Sequence, residues 1–312
     1  MPPLWRQITR SLCLGWNGCG ACSAAGRCAY SRWMRSSNAT GVACANVTWP
    51  TRPFLSFVTR EVSRSSSFPA SGCRAVTHIL YMKPIAVFDI DGTIFRSSLL
   101  IELHWKLVRR GLIPRASIKK LDDAYWAWVK RQGNYDDYLD EVVVNFIEHI
   151  KGKGEREVRE AAARVLEVQS KIVYRYTRDF IQELRGTHTL LAISGSPSIV
   201  VEEFAKEWGF EHFIGTVYGI ENKEYTGEVL STPVHDKKQA LQDLVREHGL
   251  TFENSIAVGD TESDVGMFEL VSEPICFNPT AGLYKIASER GWFIVVERKD
   301  QIYKFQKGKV VE

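Results

Sequence analysis

Along most of this chain, apolar positions follow one of two rhythms, and the places where the rhythm changes define the elements. Short β-branched runs read as strands over Ile85 to Phe88, Thr189 to Ile193, Ser255 to Val258, Pro274 to Phe277 and Phe293 to Val296. Between the first two lie about 95 residues with no convincing strand, far more than the dozen or so that a crossover needs. That stretch carries a helical period over Ser98 to Gly111, Ser117 to Gln132, Tyr135 to Lys151 and Glu155 to Leu184. A further pair of short strands, Gly215 to Ile220 and Tyr225 to Leu230, reads as a hairpin around Glu-Asn-Lys-Glu. Strands alternating with helices imply an α/β fold with a mostly parallel sheet, and the long helical stretch implies an inserted cap.

Before Met82 neither rhythm is sustained. The first 81 residues hold nine arginines, no lysine and a single acid, Glu61. They also hold six of the seven cysteines, Cys13, Cys19, Cys22, Cys28, Cys44 and Cys73. One CxxC without a second pair is a weak metal signature. The acid-poor, Arg- and Ser-rich composition admits a targeting segment, a disordered extension, or translation from upstream of Met82. The sequons at Asn38 and Asn46 carry little meaning without a secretory signal. From Met82 onward acids exceed bases by five, so the body lacks the basic surface of a nucleic-acid reader. Its single cysteine, Cys276, fits a reducing compartment, and a cytoplasmic location is expected. No apolar run approaches the 18 or so residues of a membrane span.

The chemistry gathers where strands end. The first strand runs into Asp89-Ile90-Asp91-Gly92-Thr93. Residues two apart on a strand face the same way, so two carboxylates would be buried side by side, and a divalent cation is the natural remedy for their repulsion. An oxygen-only donor set favours Mg²⁺. The second strand ends in Ser194-Gly195-Ser196-Pro197 before a helical pattern, a strand, turn and helix N-terminus suited to phosphate oxygens. The third ends in Gly259-Asp260-Thr261-Glu262-Ser263-Asp264, and Lys237 opens a helix between them.

Taken singly, these motifs are modest; in this order and placement they resemble the haloacid dehalogenase superfamily over residues 83 to 300. The match is to its phosphatase branch, subfamily IB, which includes phosphoserine phosphatase. The resemblance implies a Rossmann-like three-layer core with a mostly parallel sheet, formed by residues 82–96 and 186–312, and a helical C1-type cap over 97–185. It implies a Mg²⁺-dependent phosphatase acting on a small-molecule phosphomonoester through an aspartyl-phosphate. Asp89 would be the nucleophile and Asp91 the general acid and base. Ser194, Gly195 and Lys237 would bind the phosphoryl group, with Lys238 the competing lysine. Metal binding would fall to Asp89, Asp91 through its backbone carbonyl, and Asp260, supported by Asp264. A phosphotransferase with the same intermediate, or a non-catalytic module on the same scaffold, are the alternatives.

One departure bears on substrate. Phosphoserine phosphatases of this type usually carry a glutamate soon after the first motif to recognise an ammonium group; here Arg96-Ser97-Ser98 stands there, and Glu102 is the first acid. The cap aromatics Tyr125, Trp126, Trp128, Tyr135 and Tyr138 read as the core of a small helical bundle, with a stacking surface for substrate the alternative.

Overall fold

The computed structural model describes residues 83–306 and 309–311, so the expectations for the first 81 residues lie outside it. Among the described residues nine strands form one sheet in the order β4-β3-β2-β1-β5-β6-β7-β8-β9. They are β1 (Pro84–Phe88), β2 (Thr189–Pro197), β3 (His212–Glu221), β4 (Glu224–Ser231), β5 (Thr251–Gly259), β6 (Glu273–Phe277), β7 (Phe293–Arg298), β8 (Gln301–Gln306) and β9 (Lys309–Val311). Strands β3, β2, β1, β5, β6 and β7 run parallel, and antiparallel hairpins extend both edges.

The helices are α1 (Leu99–Arg109), α2 (Lys119–Val129), α3 (Tyr135–Ile150), α4 (Glu155–Gln169), α5 (Arg175–Leu184), α6 (Ser198–Trp208), α7 (Lys237–Glu247), α8 (Val265–Phe268) and α9 (Ala281–Arg290). Strand β1 sits at the centre with both faces covered, as a run of Ile-Ala-Val-Phe requires. Ile85 and Val87 join Leu191, Ile193, Leu241 and Ala257 in one core. Phe88, on the other face, meets the rings of Phe180 and Phe210 edge-on at 6.2 and 5.9 Å.

Three features differ from the sequence expectation. The helical pattern over Glu155 to Leu184 is two helices, α4 and α5, with the chain extended between them. There Phe95 bridges Val173, and Arg96 and Tyr174 pair by their backbone N–H groups with the carbonyls of Ile172 and Ile94. The β-branched pair Ile172-Val173 favours this pairing, and the Glu297 carboxylate accepts from the N–H groups of Arg175 and Tyr176 to start α5. Helix α5 then packs Phe180 on β1 and stacks Tyr176 on Phe277 of β6. The expected helix from Ser117 likewise begins as a 3₁₀ turn, Arg115–Ile118, before α2. Strands β8 and β9, weakly patterned and half exposed, had no clear sequence signal.

The helical insertion is tied to the β3–β4 hairpin. Gly152 N–H donates to Tyr225 O, Tyr225 N–H to Lys153 O and Glu155 N–H to Lys223 O, each within 2.9 Å. Phe146 of α3 packs edge-on against Tyr218 of β3, ring centres 5.3 Å apart. The hairpin turns at Asn222 and Lys223, both with positive φ. Among the described residues no helix is long and apolar enough to cross a membrane.

Candidate functional site

Parallel strands deliver their following loops to one edge of the sheet, and β1, β2 and β5 bring their acids and hydroxyls there together. Asp89, directly after β1, is 4% exposed and its Oδ1 accepts from Lys237 Nζ at 2.5 Å. The same ammonium donates to Asp264 Oδ1 at 2.7 Å. Lys237 is the first residue of α7, where the helix dipole disfavours a cation, so its buried position is held by these two carboxylates. Lys238, one residue on, points to the surface and pairs with Glu269 at 3.0 Å. The structure thus brings Lys237, and not Lys238, to the acids.

Asp264 spends its second oxygen on backbone: Oδ2 accepts from the N–H groups of Asp260 and Thr261, both at 3.0 Å. It therefore shapes the loop that presents Asp260. Thr93 Oγ1 donates to Asp260 Oδ1 at 3.2 Å, joining the β1 and β5 loops. At Gly92 (φ +81°) an added Cβ would lie 2.2 Å from Asp260 Oδ2, so only glycine lets the first motif approach that carboxylate.

Asp91 is held from three sides. Its Oδ1 accepts from Leu99 N–H at 2.6 Å; its Oδ2 accepts from Ser194 Oγ at 2.7 Å and Ser196 Oγ at 2.8 Å. Ser196 also accepts from Leu100 N–H at 2.9 Å, so one hydroxyl links the start of α1 to Asp91. Ser196 and Thr93 were missed in the sequence, although both lie inside motifs already singled out. Gly195 is packed so closely that an added Cβ would meet Val234 Cγ2 at 2.5 Å. Glu102 is engaged elsewhere, accepting from Ser97 Oγ at 3.1 Å and Gln169 Nε2 at 2.5 Å.

Charge is the dominant fact of this site. Four carboxylates, Asp89, Asp91, Asp260 and Asp264, gather here with one buried ammonium, Lys237, which pairs with Asp89 and Asp264. Burial, opposed by Lys237 and reinforced by Asp264 and Asp91, pushes Asp89 up to about 7. Burial raises Asp91 against the hydrogen bonds from Ser194, Leu99 and Ser196. Burial together with the nearby Asp89 and Asp264 charges lifts Asp260 well above the carboxylate range. Burial works against the charged form of Lys237, but Asp264 and Asp89 outweigh it and raise its pKa. Among the described residues no three His, Cys, Asp or Glu side chains form a ready-made metal cage. With Asp264 committed to Lys237 and backbone, and the Asp91 side chain to hydroxyls, Asp89 and Asp260 are the carboxylates left to meet a cation. An excess of buried, oxygen-only negative charge fits a hard divalent ion.

The aromatic residues of the insertion depart from the bundle-core expectation. Tyr138 is buried, but Tyr135 is 37% and Trp126 53% exposed. The Tyr135 ring is partly exposed, and burial of its phenol, with the charges of Asp91 and Asp260, raises its pKa.

A six-strand parallel core with acids, a lysine and hydroxyls at its carboxyl edge defines a Rossmann-like α/β protein of hydrolase type. The chain belongs to the haloacid dehalogenase-like hydrolase family, whose model matches residues 86–269. It is 28% identical over 211 residues to a probable phosphatase of Mycobacterium tuberculosis, covering 66% of this chain and 73% of the relative. It is 23% identical over 222 residues to a histidinol-phosphatase of Neisseria meningitidis, covering 68% and 97%. Among solved structures it shares its fold with a protein of unknown function from Bordetella pertussis, with TM-score 0.56, 21% identity, and 68% and 98% coverage.

Proposed function

We propose that this protein is a Mg²⁺-dependent phosphatase that hydrolyses a small-molecule phosphomonoester through an aspartyl-phosphate on Asp89. The observation that carries this reading is the buried Asp89–Lys237–Asp264 array with Asp260 beside it, which leaves an anionic nucleophile in a site short of positive charge. Asp89 and Asp260, with the backbone carbonyl of Asp91, would hold Mg²⁺, and Asp264 would steady that loop. The ion supplies charge neutralisation for the phosphoryl oxygens.

The residues then divide the work. An Asp89 carboxylate oxygen attacks phosphorus, and the bond from phosphorus to the substrate's ester oxygen breaks. Asp91, whose burial favours its protonated form, gives that departing oxygen its proton. Asp91 next takes a proton from water; the water oxygen attacks phosphorus, the acyl-phosphate bond breaks, and the Asp89 carboxylate is restored. Lys237 holds Asp89 in line and offsets its repulsion from the dianion. Ser194 now donates to Asp91; on substrate binding its hydroxyl, with the Gly195 amide, would turn to the phosphoryl group while Ser196 keeps Asp91 oriented.

The helices between β1 and β2 would act as a cap over this edge. The relatives' names support the phosphatase class, and the engaged Glu102 argues against an ammonium pair at that position. The lone described cysteine, Cys276, is buried and unpaired, which supports a reducing compartment. The test is hydrolysis of p-nitrophenyl phosphate by the purified chain with Mg²⁺ and with EDTA. Turnover should require the metal and vanish in Asp89→Asn, and undiminished activity in EDTA would overturn the metal assignment. Assays with added acceptor alcohols separate phosphatase from phosphotransferase, and a metabolite panel including phosphoserine and histidinol phosphate addresses the substrate.

A further inference from the structure

Strand β2 leaves its ladder with β3 just where the candidate phosphate-binding residues begin. Ile193 faces Ile214, but the next pair is Pro197 with Thr216, so β2 advances further than β3 and its register shifts. Ser194, Gly195 and Ser196 form the bulge, outside the regular pairing on that side.

A side chain of β3 supplies the donor that the bulge lacks. Thr216, 4% exposed, donates from Oγ1 to the Gly195 carbonyl at 2.7 Å. A carbonyl only accepts, so the Thr216 proton is committed there, and the Thr232 hydroxyl 3.0 Å away is the donor of their mutual contact. Thr232 in turn accepts from Val234 N–H at a long 3.5 Å. The same peptide is gripped at its other end: Ser196 N–H donates to Ser194 Oγ at 3.0 Å, and Ser194 Oγ donates on to Asp91 Oδ2 at 2.7 Å. The Gly195–Ser196 peptide is planar, with its carbonyl and N–H on opposite sides, so holding both ends fixes its plane. Glycine needs such a restraint, because it has no side chain to limit its backbone. Close packing adds to it, since a Cβ at Gly215 would lie 2.8 Å from Ser198 Cα, where β3 passes the end of the bulge. Thr232 and Val234, which meet the bulge, also lead into α7: Asp236 N–H donates to Pro233 O at 3.1 Å, and Asp236 caps the helix that begins at Lys237.

We infer that Thr216 is a positioning residue for phosphoryl transfer. Its hydroxyl, held by Thr232, pins the Gly195–Ser196 peptide, and this keeps the Ser194 hydroxyl and the Gly195 amide aimed at the phosphoryl group. The inference rests on the phosphatase reading and deepens it. Thr216 acts through a backbone carbonyl, and its value lies in preorganisation: donors already in place need no rearrangement as charge develops on the phosphoryl oxygens.

The test is steady-state hydrolysis of p-nitrophenyl phosphate by the full chain with Mg²⁺, with inorganic phosphate as competitive inhibitor, at a temperature where each variant is folded by circular dichroism. Thr216→Val keeps nearly the same shape and removes the hydroxyl. Its kcat/KM should fall, and its inhibition constant for phosphate should rise, each by about tenfold or more. Thr216→Ser keeps the donor and should stay within about threefold of wild type in both. Thr232→Val removes only the hydroxyl behind Thr216 and should cost about three- to fivefold, with the double variant no worse than Thr216→Val alone. Unchanged constants in folded Thr216→Val, equal losses in the serine and valine variants, or losses that multiply in the double variant overturn the inference. Where Thr216→Val does not fold, Thr232→Val decides, and constants equal to wild type overturn it. Hydrolysis that depends on Asp89 but not on Thr216 sinks this inference alone. No Asp89-dependent hydrolysis sinks the phosphatase reading with it.

Discussion

The floor of the site, at the edge of the sheet, and the aromatic face of the helical insertion, its proposed roof, are built on opposite principles. On the floor, Asp89, Lys237 and Asp264 are almost wholly buried, and each is tied to a partner at 2.7 Å or less. On the insertion, Tyr135 and Trp126 keep substantial exposure and meet their neighbours Trp128 and Tyr125 through ring contacts. A phosphoryl group is the same in every phosphomonoester, so a rigid, costly charge array suits the proposed reaction, and nothing so fixed is asked of the exposed rings of the insertion.

The sharpest way to break this comparison is Asp89→Asn, which keeps the shape of the floor and removes its nucleophile. Turnover should fall by about 10⁴-fold or more in a steady-state assay with Mg²⁺, and a loss of less than tenfold would remove Asp89 from the reaction. Lys237→Met should come next. It leaves two carboxylates buried without their cation and should cost about 3–5 kcal/mol in denaturant unfolding. Ser196→Ala removes one of three donors to Asp91, and a hydrogen bond to a charged group of this kind corresponds to a loss of about 10- to 100-fold in kcat, with KM little changed.

A pH experiment probes the floor without mutation. Asp89 is raised from 3.8 to about 7, so between those values the folded metal-free protein holds a proton that the unfolded chain has released. Stability in EDTA should therefore be fully present below about pH 4 as far as this group is concerned, and decline as pH rises through 7. Mg²⁺ should reverse the trend, raising the thermal midpoint more at pH 7.5 than at pH 5; an equal shift at both would show that the ion does not meet these carboxylates. Lys238→Ala, the smallest expected effect, should change stability by less than about 0.5 kcal/mol, because its partner Glu269 and the lysine are both substantially exposed. A large loss in this variant would reverse the assignment of the two lysines.

Much of the floor was legible before any coordinates, because a buried strand running into paired acids is a local pattern with few physical outlets. Five of the six parallel core strands appear where the β-branched runs put them, and Asp89, Asp91, Ser194, Asp260 and Asp264 meet at one edge because parallel strands send their carboxyl ends the same way, while Lys237 reaches them from the start of α7. Period and strand order set this much, and they are properties of the chain itself.

What the tertiary structure alone decided is how groups distant in sequence share a donor or a face. The break between α4 and α5 exists because 172–174 finds a backbone partner at 94–96, which no window on the helical pattern contains. The choice of Lys237 over Lys238 is made by a helix phase set against two other loops. Ser196 is recruited to Asp91 across 105 residues. The aromatic residues of α2 and α3 have a helical spacing that fits a buried core, and only the packing of the two helices decides that Tyr138 is enclosed while Tyr135 and Trp126 stay exposed. Local sequence determines which faces a segment offers, while long-range pairing determines what each face meets.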